Sequence, residues 1–101
     1  GVSEYEAQLR MNGTDQAPVE VVVDLTDAHL GLRIGSEQIA DWSRDEIRVN
    51  ALPDGFHIRA EGEEIVLEVE DDARFALSLG LKNAPPQLRR RMSALLRTDS
   101  D

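Results

Sequence analysis

Residues 47–70 read IRVNALPDGFHIRAEGEEIVLEVE, and their alternation decides the fold. Ile47, Val49 and Ala51 recur at period two, which places them on one face of a strand. Pro53-Asp54-Gly55 signals a turn, because proline presets φ and glycine is free to take φ > 0. Phe56, Ile58 and Ala60 resume the alternation against His57 and Arg59. Glu61-Gly62 then turns the chain into Ile65, Leu67 and Val69, set among Glu64, Val66, Glu68 and Glu70.

The same period runs upstream. Tyr5, Ala7, Leu9 and Met11 alternate with Glu4, Glu6, Gln8 and Arg10, the pattern of a half-buried strand. Asn12-Gly13 opens a polar turn that closes near Pro18. Val19, Val21, Val23 and Leu25 follow against Glu20 and Asp24, and Val22 on the polar side predicts cover on both faces. Thr26-Asp27-Ala28 is a tight connection to Leu30, Leu32 and Ile34, and Gly35-Ser36 turns the chain again. A weaker strand runs through Ile39 and Trp42, and Ser43-Arg44-Asp45 links it to Ile47. About seven strands at roughly ten-residue intervals predict an all-β sandwich or barrel.

The period changes at Asp71. Asp71 or Asp72 suits a helix N-cap. Ala73, Phe75, Ala76, Leu77 and Leu79 form an apolar stripe, and Gly80 is a natural stop. A second, short helix starts near Asn83, with Pro85 and Pro86 in its first turn, and carries Leu88, Met92, Leu95 and Leu96 at helical spacing. Thr98 to Asp101 is expected to fray. The predicted organisation is one β domain over residues 1–80, with a helical extension and tail over 81–101.

The 101 residues suffice for one domain with one core. Cysteine is absent, which removes disulfides, thiolate metal sites and cysteine nucleophiles, and suits a reducing cytoplasm. No apolar run approaches the ~20 residues of a membrane span. The opening GVSEYEAQL has neither a positive cluster nor an apolar core, so it does not read as a secretory signal. An initial glycine is what cleavage of a tag leaves, so the natural chain is free to extend further. Arginine outnumbers lysine ten to one, the usage of a GC-rich bacterial genome.

Twenty acidic residues against eleven basic ones give a net charge of -9. Residues 1–85 hold 18 acidic and 7 basic residues, a net of -11, whereas residues 86–101 hold four arginines against Asp99 and Asp101, a net of +2. An acidic body repels phosphate backbones and anionic lipid, so nucleic acid and bare membrane are not expected partners.

The stretch VVVDLTDAHLGLRIGSEQIADWSRDEIRVNALPDGFHIRAEGEEIVLEVEDDARFAL resembles the pleckstrin-homology-like superfold, in particular the small bacterial, actinobacterial members. The "hLglr" strand, the "adWsrdeI" segment and the "dGFhiraeGeei" hairpin carry the resemblance, which covers about residues 5–80. It implies two packed, strongly bent antiparallel sheets with a helix plugging one open end. Two departures bear on function. Eukaryotic members carry a tryptophan in the closing helix, whereas the sole tryptophan here, Trp42, falls in the middle strands. Lipid-binding members ring the first hairpin with basic residues, whereas this loop reads NGTDQAP, with Arg10 alone beside it and Asp15 opposing. Phosphoinositide binding is therefore not carried over.

Catalytic patterns are missing. There is no G-x-S-x-G, no Walker pattern and no G-x-G-x-x-G. Ser36 and Ser43 read as turn residues. His29 and His57 lie on the polar phase of their strands and read as surface or cross-strand residues. Glu61, Glu63, Glu64, Glu68, Glu70, Asp71 and Asp72 form the densest acidic run. Calcium chelation by it competes with the simpler reading of a solvated face, and no D-x-D-x-D-G loop is present. No metal or other cofactor is expected, and a paired-carboxylate hydrolase cannot be singled out among so many carboxylates.

The expectation is a small, non-catalytic binding or scaffold module for a protein or peptide partner; the resemblance implies that it presents a sheet edge or an open sandwich corner, with strand addition at an edge as the mechanism. Arg89, Arg90, Arg91, Leu88 and Met92 on the last helix, together with Trp42, are the candidate partner-binding residues, with a homodimer left open. A solvated helix face packing Leu88, Met92 and Leu95 inward accounts for the arginine run without further assumption and is the favoured reading of it. The alternatives are a small-molecule-binding protein or enzyme of another type, and a peripheral membrane adaptor, the latter disfavoured by charge.

Overall fold

The computed structural model describes residues 1–99 and is mainly antiparallel β. The strands are β1 (Ser3–Met11), β2 (Val19–Leu25), β3 (His29–Ile34), β4 (Glu37–Ser43), β5 (Arg48–Leu52), β6 (Gly55–Ala60) and β7 (Glu63–Val69). A single 3-10 turn, Arg44–Glu46, joins β4 to β5, and helices α1 (Asp72–Leu79) and α2 (Pro86–Asp99) follow. The two expected sheets are two halves of one curled seven-stranded sheet, in the order β4-β3-β2-β1-β7-β6-β5. β1 is the hinge between them. Its residues Ser3–Leu9 pair with β2 and Ala7–Met11 with β7, so the two ladders overlap at Ala7–Leu9.

The inner face is the one the alternation marks. Tyr5, Val21, Val23, Leu25, Leu30, Leu32, Phe56, Ile58, Ile65, Leu67 and Val69 are buried in one core. α1 plugs it with Ala73, Phe75 and Ala76. The Phe75 ring stands edge-on to Tyr5 and Phe56, with centroids 5.0 and 4.9 Å away. Tyr5 Oη is 2.8 Å from Ser78 Oγ. Arg44 reaches the helix from the opposite side: its Nη2 donates to the Leu79 carbonyl at 3.1 Å and its Nη1 to the Thr26 carbonyl at 3.3 Å. A cation at a helix C-terminus satisfies both a free carbonyl and the dipole. Gly80, left-handed at φ 71°, closes the helix with its N–H on Leu77.

Several details depart from expectation. Asp71 holds the N-cap position of α1, but its carboxylate accepts from Arg74 Nε at 2.9 Å and makes no cap bond. The second helix is the longer one, 14 residues against 8, because nothing after Pro86 breaks it. Its apolar stripe packs inward, as its helical spacing implies. Leu88 is 6% exposed and belongs to the common core, and Leu81, Ala84, Met92 and Leu95 pack against that core. Leu96 lies off this stripe and is exposed. α2 runs through Thr98 to Asp99, and Ser100 and Asp101, the rest of the segment expected to fray, lie outside the described residues. Ile34 alternates with the core yet is exposed, since it ends β3 beyond a register shift at Leu32/Arg33. Val22 is half-buried, so the outer face of β2 is partly covered. No described helix is long and apolar enough to cross a membrane.

Candidate functional site

The curled sheet ends in two unpaired strands, β4 and β5. Such an edge presents free N–H and C=O groups to any extended chain. β4 carries Glu37 and Asp41, with Trp42 bonded sideways: its Nε1 donates to Glu61 Oε2, 2.8 Å away in the β6–β7 turn. β5 is the plainer edge. Val49 and Ala51 lean inward and are half-buried, while Arg48, Asn50 and Leu52 point outward and are exposed. Beside it, the β5–β6 hairpin and the first half of α2 enclose a groove of about 650 Å³. Leu52, Pro53, Pro86 and Leu88 supply apolar lining, and charge comes from Asp54, Glu68 and Asp72 against Arg90 and Arg91.

The sequence candidates divide between interior and surface. Leu88 is buried, and Met92 is half-buried against the core. Arg91 is tied to α1: its Nη2 and Nε donate to both oxygens of Asp72 at 2.6 and 3.2 Å, which holds its pKa above the ordinary arginine value. Arg89 and Arg90 are exposed and have no ion-pair partner among the described residues. Of these two, Arg90 faces the groove. Trp42 stands on the other edge strand, so it does not join the α2 residues in one sheet edge.

The outer face of β1, β7 and β6 carries a polar network that sequence reading left as separate surface residues. His57 Nε2 is 2.7 Å from Asp54 Oδ1, and its Nδ1 is 3.0 Å from Glu64 Oε2. Ionised carboxylates only accept, so both ring nitrogens are satisfied when both carry protons. The bond to Glu64 does most to raise the His57 pKa; burial opposes it, and the bond to Asp54 adds to the rise. In return His57 lowers Asp54 and Glu64. Arg10 Nη2 donates to Asp54 Oδ2 at 2.7 Å, and Asn12 Nδ2 to Glu64 Oε2 at 2.6 Å. The stems of this network lie over Val66, which is fully buried although it points to the outer face. The network therefore serves as a lid for the outer sheet surface and pins the β5–β6 turn to β1.

The His57 side chain is only 11% exposed, and both its nitrogens face carboxylates of the same network. His29 stands apart, with Nδ1 3.3 Å from Asp41 on β4. Among the described residues no three His, Cys, Asp or Glu side chains are placed to hold a metal ion.

One row across the network is unbalanced. Arg48 on β5 pairs directly with Arg59 on β6, and Arg59 with Glu64 on β7. Arg59 reaches Glu64 only at 3.5 Å and is 70% exposed, while Arg48 has no ion-pair partner among the described residues. Hairpin arithmetic predicts this pair: residues equidistant from Pro53-Asp54 face each other. Comparison with family models and with curated proteins gives no match for the chain.

Proposed function

We propose that this domain is a non-catalytic interaction module that holds an extended segment of a partner protein by adding a strand to β5. The observation that carries the reading is the free β5 edge opening onto the groove beside α2. Backbone pairing would supply affinity there, and the groove would select side chains. The likeness to pleckstrin-homology-like domains supports the same reading. Extended phosphate backbones and anionic vesicles stay outside the proposal, because residues 1–85 carry a net of -11. A reducing cytoplasm is the setting we assign, on the lack of cysteine.

Selection of displayed random linear peptides on the immobilised domain tests this. Selected binders are titrated into isotope-labelled protein and the amide shifts mapped. Binders that shift residues 48–52 together with the first half of α2 support the proposal. Binders that shift only β4 or the acidic outer face, or a library that returns none, overturn it.

A further inference from the structure

We infer that the segment captured at β5 carries an acidic residue in register with Arg48 and an apolar residue in register with Leu52. This rests on strand addition at β5 and specifies its partner. Like charges directly opposite one another on a sheet are destabilising. Arg48 and Arg59 nevertheless face each other on the outer surface of the edge hairpin. They do so in a chain where acidic residues outnumber basic ones 20 to 11 and could easily have supplied a neighbour. The other arginines of the sheet and of α1 are engaged: Arg10 with Asp54, Arg33 with Asp24 and Glu4, Arg74 with Asp71.

The register turns this imbalance into a recognition rule. Across the sheet the row reads Glu64, Arg59, Arg48, and then the open edge. A strand added to β5 puts its own side chain about 5 Å from Arg48 on the same face. An Asp or Glu there completes the order minus, plus, plus, minus, and leaves each arginine beside one carboxylate. Two residues along, the added strand faces Asn50, which offers an amide to a polar side chain. Two further along it faces Leu52, an apolar side chain left 44% exposed at the mouth of the groove. Side chains on one face recur at period two. An antiparallel ligand therefore reads apolar-x-polar-x-acidic, and a parallel one reads the reverse.

The same register argues against a second copy of β5 as the occupant. Antiparallel self-pairing centred on Asn50 sets Arg48 against the Leu52 of the other copy and leaves the arginine pair unneutralised.

The probe is the blocked peptide Thr-Leu-Val-Ser-Val-Glu-Thr, with a twin carrying Lys in place of Glu. Both are titrated into labelled protein and into Arg48→Glu and Arg48→Gln variants whose thermal unfolding matches the parent. The Glu peptide should shift the amides of residues 48–52 and bind about two- to fivefold more tightly than the Lys peptide, the range of an exposed ion pair. Arg48→Gln should erase that preference and Arg48→Glu should invert it. Equal shifts at β5 with both peptides overturn the acidic register while leaving strand addition standing. No shift at β5 with either peptide up to millimolar concentration removes strand addition itself. A dimer at the titration concentrations, with its contact mapped to β5, gives the edge to a second copy and overturns the inference.

Discussion

Phe75→Leu tests whether α1 is the plug that closes the sheet or a segment resting on it. The ring is fully buried and makes two edge-to-face contacts, one with Tyr5 at an interplanar angle of 70° and one with Phe56 at 80°. Each such pair contributes about 0.5–1.5 kcal/mol beyond its buried area. Leucine keeps most of the apolar volume but loses both contacts, so the expected loss is about 1–3 kcal/mol. For a domain of this size each kcal/mol lowers Tm by about 4–8 °C, so a mid-range loss of about 2 kcal/mol lowers it by about 8–16 °C. Denaturant unfolding of Phe75→Leu, Phe56→Leu and the double variant closes a cycle that isolates the ring pair. The coupling expected is about 0.5–1.5 kcal/mol. A Phe75→Leu domain within about 0.5 kcal/mol of the parent, with no coupling to Phe56, would refute the seating of α1 in the core.

Two further outcomes follow from local geometry. The folded His57 pKa is raised above 6.5, so its contribution to stability is complete below that value and lost as pH rises through the folded pKa. Asp54 and Glu64 are lowered from 3.8 and 4.5, so theirs is present above those values and lost as pH falls through the folded ones. Urea unfolding from pH 5 to 9 should show the parent losing stability on the alkaline side relative to His57→Gln; parallel profiles would refute the double-carboxylate clamp. Gly55→Ala should be more damaging than Gly80→Ala. At Gly55 (φ 135°) a Cβ would lie 2.7 Å from the Leu67 carbonyl oxygen, whereas at Gly80 (φ 71°) it meets nothing within 4 Å. Gly80→Ala should cost about 1–2 kcal/mol, the left-handed penalty alone; an equal or milder loss for Gly55→Ala in thermal unfolding contradicts the close approach of β6 to β7.

The strands were legible because each has one face in a common core, and period two reports that directly. From β5 to β7 the pattern even carries the register. The turns Pro53-Asp54 and Glu61-Gly62 fix which residues face each other, so the row Glu64-Arg59-Arg48 was available from the sequence alone. The arginine pair was passed over because Arg48 and Arg59 stand 11 positions apart and neither belongs to a charge run. Conversely, the Arg89-Arg90-Arg91 run drew notice, and the structure gives its members different roles: Arg91 pairs with Asp72, Arg90 faces the groove and Arg89 is solvated. The His57 clamp depends on Asp54 three residues back and Glu64 across a turn. Spacing shows that the three lie near each other, but not which rotamers meet. The reach of Arg44 to the end of α1 joins positions 35 apart through tertiary packing and leaves no periodic trace.

The net charge of -9 and the proposed preference for an acidic ligand are compatible because they act over different distances. At physiological salt the Debye length is about 8 Å, so most carboxylates of the body are screened from a ligand at the β5 edge. Strands lie about 4.8 Å apart, which puts the ligand's side chain one spacing from Arg48 and two from Arg59. Arg48 lies inside the Debye length and Arg59 just beyond it, while the row's one carboxylate, Glu64, stands a further spacing away and is shared with His57 and Asn12. A nucleic acid or an anionic vesicle presents many charges across a wide face and meets the acidic body as a whole. A single carboxylate on an extended segment meets only the edge. In the proposed reading the overall charge works against the first class of anion, and the arginine pair favours the second.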